Sequence, residues 1–541
     1  MSMTKSGQDN TPPHQVSKPT KDHDSHHSIM HSTSLVSLGT LSSRILGFFR
    51  DIILAKLLGT GMAADAFFVA LKIPNLFRDL VGEGAANAAV IPTLSEYHQK
   101  NDRQEFWRFV NVVFILGLMA LSVITVFGIL LSPWIVKILV PGFLADQEKY
   151  QLTVHLTMLI FPYLIMIGLT AYGMAILNTF RSFLIPAFSP CLFNIALIVG
   201  AYVSYKWMNA PIYGLAIATL IGGILQLWMH AIPILKLGFR FQRPKTLKHS
   251  GAAKIGRLLI PRIIGGGVYQ LSVFIDTFCA SMSHIVGQGG ISAIYYSNRI
   301  IQFPMGVFTF ALASALLPSF SGFAQKKDME SFKKTLVFSL ENIFFVMCPT
   351  TVVLLLLSHP IIKALFERGQ FDSYSTQITA WALAFYAIGL FSFGGIKILV
   401  VAFHSLQDTK TPVKVAAGCL LINTILNFIL MYPMKIGGIA LASAMAGTVD
   451  FLILFWVMDR KLGGLNGDLL QYFTKVTCAA AMTGGIEYLA WNHIFFANET
   501  IRLIVIGLAG FIIFELISLV MKVKQAEKIA SWVTGRYRPS V

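Results

Sequence analysis

Stretches of about twenty apolar residues recur along the whole chain, and nothing else in the sequence narrows its possible folds so far. Val112–Leu131 and Leu503–Val520 are two of them. Each is long enough to cross the roughly 30 Å hydrocarbon core of a bilayer as a helix. Lipid offers no hydrogen-bond partner to a peptide group, so such segments must be helical. The ten-residue alternation of a membrane barrel is absent. Of 541 residues, 55% are hydrophobic and only 13% charged, about half the charge of an ordinary soluble domain. Fourteen segments can be drawn, at about 34–57, 62–94, 107–136, 151–178, 186–205, 212–235, 255–284, 290–321, 333–359, 375–403, 412–431, 437–458, 470–491 and 500–522. The expectation is an all-α multi-pass membrane protein with fourteen transmembrane helices.

Charge orients these segments. The net charge is +17. Cationic loops that fix topology and meet anionic lipid explain it better than nucleic acid, which is not expected as a partner. The connector Lys236–Lys254 carries Lys236, Arg240, Arg243, Lys245, Lys248 and Lys254 and no acid. Lys100, Arg103, Lys326, Lys327 and the tail residues Lys522, Lys524, Lys528, Arg536 and Arg538 also follow even-numbered segments. The positive-inside rule then puts both termini in the cytoplasm. Residues 1–33, with His14, His23, His26, His27 and His31, lack an apolar stretch before a cleavage site and read as a polar, disordered cytoplasmic tail. Cys191, Cys279, Cys348, Cys419 and Cys478 all lie in apolar runs and read as small hydrophobes.

The chain repeats itself. Pro92-Thr-Leu-Ser95 matches Pro318-Ser-Phe-Ser321 at a shift of 226 residues. The same shift pairs Asp102 with Asp328, Phe106 with Phe332, Lys137 with Lys363, Asp146 with Asp372 and Pro186 with Pro412. Gly214–Thr219 resembles Gly438–Ser443 at a shift of 224. The unit is six helices, so the copies are parallel. They predict two six-helix lobes, at 34–238 and 255–459, joined by a basic cytoplasmic linker at 239–254. Two extra helices at 460–522 and a basic tail at 523–541 follow. Transporters built this way bind at the repeat interface and rock around it.

Ionisable residues at membrane depth are functional candidates by default. The first segment carries Arg44, Arg50 and Asp51, and the second Asp65, Lys72, Arg78, Asp79 and Glu83. Arg262, Asp276, Arg299, Lys397 and Asp450 lie in the second lobe. Arg44 and Asp51 are seven apart, as are Asp65, Lys72 and Asp79, and so share helical faces. For Asp51, Lys72 and Asp79 a structural ion pair is an equal reading. For Arg44, Arg50, Arg78 and Arg299 the excess of guanidinium forks favours a phosphate or pyrophosphate. Asp276, Asp408 and Thr424 are candidate oxygen ligands for a small cation, although Asp408-Thr-Lys-Thr-Pro412 reads better as a helix start. Neither a catalytic motif nor a metal or dinucleotide signature is present, so the chain does not read as an enzyme.

Four stretches resemble the MurJ (MviN) lipid II flippase family of the multidrug/oligosaccharidyl-lipid/polysaccharide exporter superfamily. They are Ser43-Arg-Ile-Leu-Gly-Phe-Phe-Arg-Asp51, Asp65-Ala-Phe-Phe-Val-Ala-Leu-Lys-Ile-Pro-Asn-Leu-Phe-Arg78, Glu83-Gly84-Ala85 and Asn298-Arg299 with Gln302-Phe-Pro304. The similarity spans about residues 34 to 525. It implies a cationic cavity open to one side at a time in a bacterial inner-membrane protein, with Arg44, Arg50, Arg78 and Arg299 facing the substrate headgroup. Asp65 and Glu83 are implied near the cavity and its gate, with Asp51 and Lys72 among the cavity charges. The substrate implied is lipid II, the undecaprenyl-pyrophosphate-linked disaccharide-peptide, its tail held by the last two helices. Cell-wall synthases are candidate partners. No cofactor is expected beyond a monovalent cation or the membrane potential as driving force. His404 stands where a cation site would have an oxygen ligand, which weighs against sodium. The rival readings are a flippase for another polyprenyl-linked glycan, a cation-coupled drug exporter of the same architecture, and a membrane transferase.

Overall fold

The computed structural model describes residues 22–78, 89–244, 246–465, 469–494, 496 and 498–534. The described chain is helical, without strands. In order the helices are α1 (Asp22–Leu58), α2 (Met62–Arg78), α3 (Ile91–Lys100), α4 (Arg103–Leu130), α5 (Ser132–Leu139), α6 (Gln147–Ile160), α7 (Tyr163–Thr179), α8 (Leu184–Trp207) and α9 (Pro211–Lys236). After the linker come α10 (Ser250–Ala280), α11 (Ser283–Val286), α12 (Gly290–Pro304), α13 (Phe310–Lys326), α14 (Met329–Leu356), α15 (Ser358–Phe366), α16 (Ser373–Ile388), α17 (Leu390–Ser405), α18 (Lys410–Met434) and α19 (Ile436–Lys461). The chain ends in α20 (Leu469–His493), α21 (Glu499–Val520) and α22 (Lys524–Val533).

Among the described residues, nine helices are long and apolar enough to cross a membrane, or ten counting α16 and α17, which bend by 47° at Gly389, as one span. The expected segments at α1, α2, α10 and α20 fall short of that measure of length and hydropathy. α1, α10 and α20 still carry large exposed apolar residues such as Leu41, Leu271 and Leu489, as the spans do at Leu130, Trp228, Leu421, Phe511 and Val520, and such a belt is stable only against lipid; α2 has none among its described side chains. α1 starts at Asp22, inside the stretch expected to be a disordered tail. No glycine or proline breaks the chain between Asp22 and Gly39, and Asp22 and Asp24 in the first turn complement the helix dipole. All five cysteines are free, and Cys478 is exposed rather than buried.

The sequence repeat reappears as repeated local structure. Asp102 and Asp328 cap α4 and α14, each accepting from the amide three residues on. Asp146 and Asp372 cap α6 and α16 the same way. Such caps satisfy amides that have no partner inside the helix. Packing falls into two groups. In one, α1 lies on α8, α8 and α7 on α9, and α2 on α6. In the other, α10 lies on α18, α18, α16 and α17 on α19, and α12 on α16. α20 packs on α14 and α21 on α20.

Candidate functional site

Between the two groups lies a cavity of about 950 Å³, the upper part of the range of small-molecule sites. Arg44, Arg50, Asp51, Arg78, Asp276, Arg299, Lys397 and Asp450 all face it. It closes where the α1–α2 turn meets the second group. There Thr60 Oγ1 and Ser375 Oγ are 2.8 Å apart, and Gln370 N donates to Lys56 O at 2.8 Å. Gly289, with φ +75°, lies against the Thr60 carbonyl so closely that a Cβ would collide with it. The walls run from this seal to Leu41, Pro186 and Ala416, the last two within the first two turns of α8 and α18. That far end is the mouth.

The deepest charged group is built on Tyr295. Its hydroxyl donates to Asp51 Oδ1 at 2.9 Å and accepts from Arg50 Nη2 at 3.1 Å and Arg299 Nη2 at 3.0 Å. Arg50 also grips Asp51 Oδ1 through Nε and Nη2, at 3.0 and 2.7 Å, and donates from Nη1 to Asn194 Oδ1 at 2.9 Å. Arg299 Nε lies 2.9 Å from Asp51 Oδ2. The ring of Tyr295 stacks on Phe68, with centroids 3.9 Å apart, which fixes where the hydroxyl points. Two arginines therefore share one carboxylate and leave one positive charge uncompensated. Asp51 is fully buried, while the Arg299 side chain stays 35% exposed to the cavity. Asp51 is thus a structural counter-ion, and Arg299 is the fork left facing the chamber.

Two further cations stand nearer the mouth. The Arg44 guanidinium lies 5.6 Å from the centroid of the Phe310 ring, and Lys397 Nζ lies 5.7 Å from the same ring. No carboxylate among the described residues pairs with either. Arg78, in the last turn of α2, also reaches the wall.

Two expected cavity residues are not on the wall. Asp65 is buried at the seal, bound by Lys149 Nζ at 2.8 Å and by Ser292 N and Oγ at 2.9 and 2.6 Å. It joins α2 and α6 to α12. Lys72 donates to Thr277 Oγ1 instead of pairing with an acid of its own helix, because α2 turns that face onto α10. Asp79 and Glu83 lie outside the described residues, and the Arg262 side chain is likewise not described.

The three cation candidates do not meet. Thr424 Oγ1 donates to Leu420 O within α18. Asp408 accepts from Thr411 N and Oγ1 and from Lys461 Nζ at 2.8 Å, as a helix-start carboxylate does. Asp276 instead meets Asn427 Nδ2 at 2.8 Å and Ser443 Oγ at 2.9 Å, with Asn423 next in the chain of contacts. One carboxylate, two amides and a hydroxyl form an oxygen-rich set able to hold a small cation, and His404, in the last turn of α17, is not part of it.

Sequence reasoning missed Tyr295, Asn194, Lys149 and Ser292, and placed Lys397 among membrane charges without a site. Lys149 sits in a polar helix start that resembles a solvated first turn. Tyr295 sits in an apolar run in which nothing distinguishes it.

Comparison with known proteins places this architecture. A family model described as "Lipid II flippase MurJ" matches residues 54–507. The chain is 33% identical over 461 residues to a lipid II flippase MurJ of Burkholderia cenocepacia, covering 84% of this chain and 88% of that one. It is 32% identical over 483 residues to a probable lipid II flippase MurJ of Buchnera aphidicola, covering 87% and 93%. A solved structure titled lipid II flippase MurJ, inward closed conformation, superimposes with a TM-score of 0.77 at 28% identity, over 90% of this chain and 98% of that one. A solved structure titled inward-facing conformation of a multidrug resistance MATE family transporter of the MOP superfamily shares the fold, with a TM-score of 0.66 at 14% identity over 78% of this chain and 94% of that one. The chain belongs to the lipid II flippase MurJ family.

Proposed function

We propose that this chain moves lipid II from the cytoplasmic to the outer leaflet of a bacterial inner membrane by alternating access. The observation that carries this reading is the chamber between two helix groups with a surplus of cations on its walls. A drug exporter for cations needs walls that are acidic as well as aromatic, whereas cations outnumber carboxylates on these aromatic walls, and a membrane transferase needs a reactive cluster that the described residues do not form. In this reading the pyrophosphate sits against the exposed fork of Arg299, and Arg44 and Arg78 line the rest of the headgroup chamber. Arg50 is held by Asp51 and Asn194 as a positioning group. Bidentate guanidinium contacts suit phosphate oxygens and are about twice as strong as neutral hydrogen bonds.

The two packing groups act as the rocking lobes, and α1, α2, α10 and α20 complete fourteen crossings with both termini in the cytoplasm. α20 and α21 flank the polyprenyl tail. Each negative charge carried outward across 100 mV of negative-inside potential gains about 2.3 kcal/mol. A monovalent cation on the Asp276 cluster is a second source of bias, and cell-wall synthases are the partners to which the product passes.

The test is an in-cell assay of lipid II exposed on the outer face. Arg299→Ala, inserted at wild-type level, is expected to lower exposure at least tenfold. Wild-type exposure in an Arg50→Ala, Arg299→Ala double variant would sink the reading.

A further inference from the structure

The cavity holds a second pair of cations that the cluster around Asp51 does not use. Arg44 comes from α1 and Lys397 from α17, so the pair spans the two packing groups. Both lie over one ring, Phe310, at 5.6 and 5.7 Å from its centroid. The backbone that presents this ring is irregular. Between α12 and α13 the chain makes a wide π-type turn at Met305–Thr309, directly before Phe310. Such turns cost helix regularity and cluster at functional sites. Within the turn sits Gly306, and a Cβ there would collide with Arg44 Nη1. Arg44 can pass this turn to reach Phe310 because that position has no side chain.

Lys397 is exposed, and α17 carries no other lysine or arginine and no carboxylate. Two like charges drawn to one ring, on a wetted wall, repel each other unless an anion sits between them. Asp450, the nearby wall carboxylate, is not ion-paired with either.

We propose that Arg44, Phe310 and Lys397 form a second anion subsite that takes a carboxylate of the substrate's peptide. The proposal rests on the flippase reading above. Arg44 is six residues from Arg50, about 9 Å along α1 at the helical rise. The two guanidinium groups therefore leave α1 at different depths, and neither Arg44 nor Lys397 bonds to the Asp51 cluster. A lysine ammonium is a point charge suited to a single oxyanion, whereas Arg299 offers a planar fork. The two sites thus suit different acidic groups of one headgroup, and reading both distinguishes a complete precursor from a peptide-free one.

The test measures binding of three probes to the full-length protein in nanodiscs: undecaprenyl pyrophosphate, its peptide-free disaccharide derivative, and complete lipid II. Lys397→Gln is expected to weaken complete lipid II about tenfold and leave the two peptide-free lipids unchanged, with Lys397→Arg restoring most of the loss. Equal weakening of all three probes would assign the subsite to pyrophosphate and overturn the proposal. No change with any probe would overturn it too. Arg299→Gln serves as the separate arm: it should weaken all three, and if it weakens none, the pyrophosphate reading fails independently of Lys397.

Discussion

A single hydroxyl organises the deepest charges of this cavity. Tyr295 gives its one proton to Asp51 and accepts from both arginines, so every hydrogen-bonding position of that oxygen is used. Tyr295→Phe keeps the stacking on Phe68 but leaves a buried carboxylate and two guanidinium groups each short of a partner. The expected cost is about 1–3 kcal/mol of stability, read as a lower melting temperature in detergent. An unchanged melt would mean that Asp51 and the arginines re-pair without the hydroxyl. The contrast between Arg50 and Tyr295 also explains what could be read beforehand. A guanidinium in an apolar segment is costly enough to announce a role, whereas a tyrosine there is ordinary. Lys149 was hidden for a different reason. Its partner Asp65 is 84 residues away, and only the fold turns a polar helix start into a buried ion pair.

Helices and their ends carry the repeat more faithfully than their apolar faces do. Asp102, Asp146, Asp328 and Asp372 were legible as a constant shift because each does the same capping work in each copy, and capping depends only on local sequence. The bend at Gly389 and the π-type turn at Met305–Thr309 were not legible, since both fall inside continuous hydrophobic runs. What selects them is tertiary. A Cβ at Gly389 would come within 2.9 Å of Ala444 Cα, and one at Gly306 would displace Arg44. Asp408 gives an element-scale prediction outside the membrane. Hydrogen bonding from Lys461, reinforced by Thr411 at the start of α18, holds its carboxyl down at about 2. A carboxyl held below its ordinary value near 3.9 stabilises the fold above that value and loses the effect as pH falls toward the depressed one. Asp408→Asn is therefore expected to lower the melting temperature near neutral pH, with the difference from wild type shrinking as pH falls below about 4 and vanishing only below about pH 2. A difference that stays constant across that range would assign the effect to the hydrogen bonds alone.

At the scale of the whole molecule, the two packing groups meet most intimately at the end away from the mouth. Asp65 and Lys149 form a buried ion pair on one side, and Ser292 on the other side donates to the same carboxylate. Gly142 N donates to Ser281 Oγ at 3.2 Å, and Gln370 N to Lys56 O. These contacts are polar and short, and aromatic contacts such as Phe68 on Tyr295 and Phe48 on Phe366 cross beside them. Separating the groups there exchanges hydrogen bonds for water at a net cost of about 0.5–1.5 kcal/mol for each neutral one and about 1.5–3 kcal/mol for those to Asp65, a cost that the proposed alternating access has to meet in every cycle. Thr60 and Ser375 allow this to be tested, because their side-chain oxygens are 2.8 Å apart across the seal. Replacing both with cysteine places two thiols within reach of a disulfide with little backbone movement. In the oxidised protein the seal cannot part, and lipid II exposure on the outer face should fall to background. Reduction should restore it, and either single cysteine should be active under both conditions. Transport by the fully cross-linked protein would show that the groups do not separate at this end, and the outward path would have to lie elsewhere.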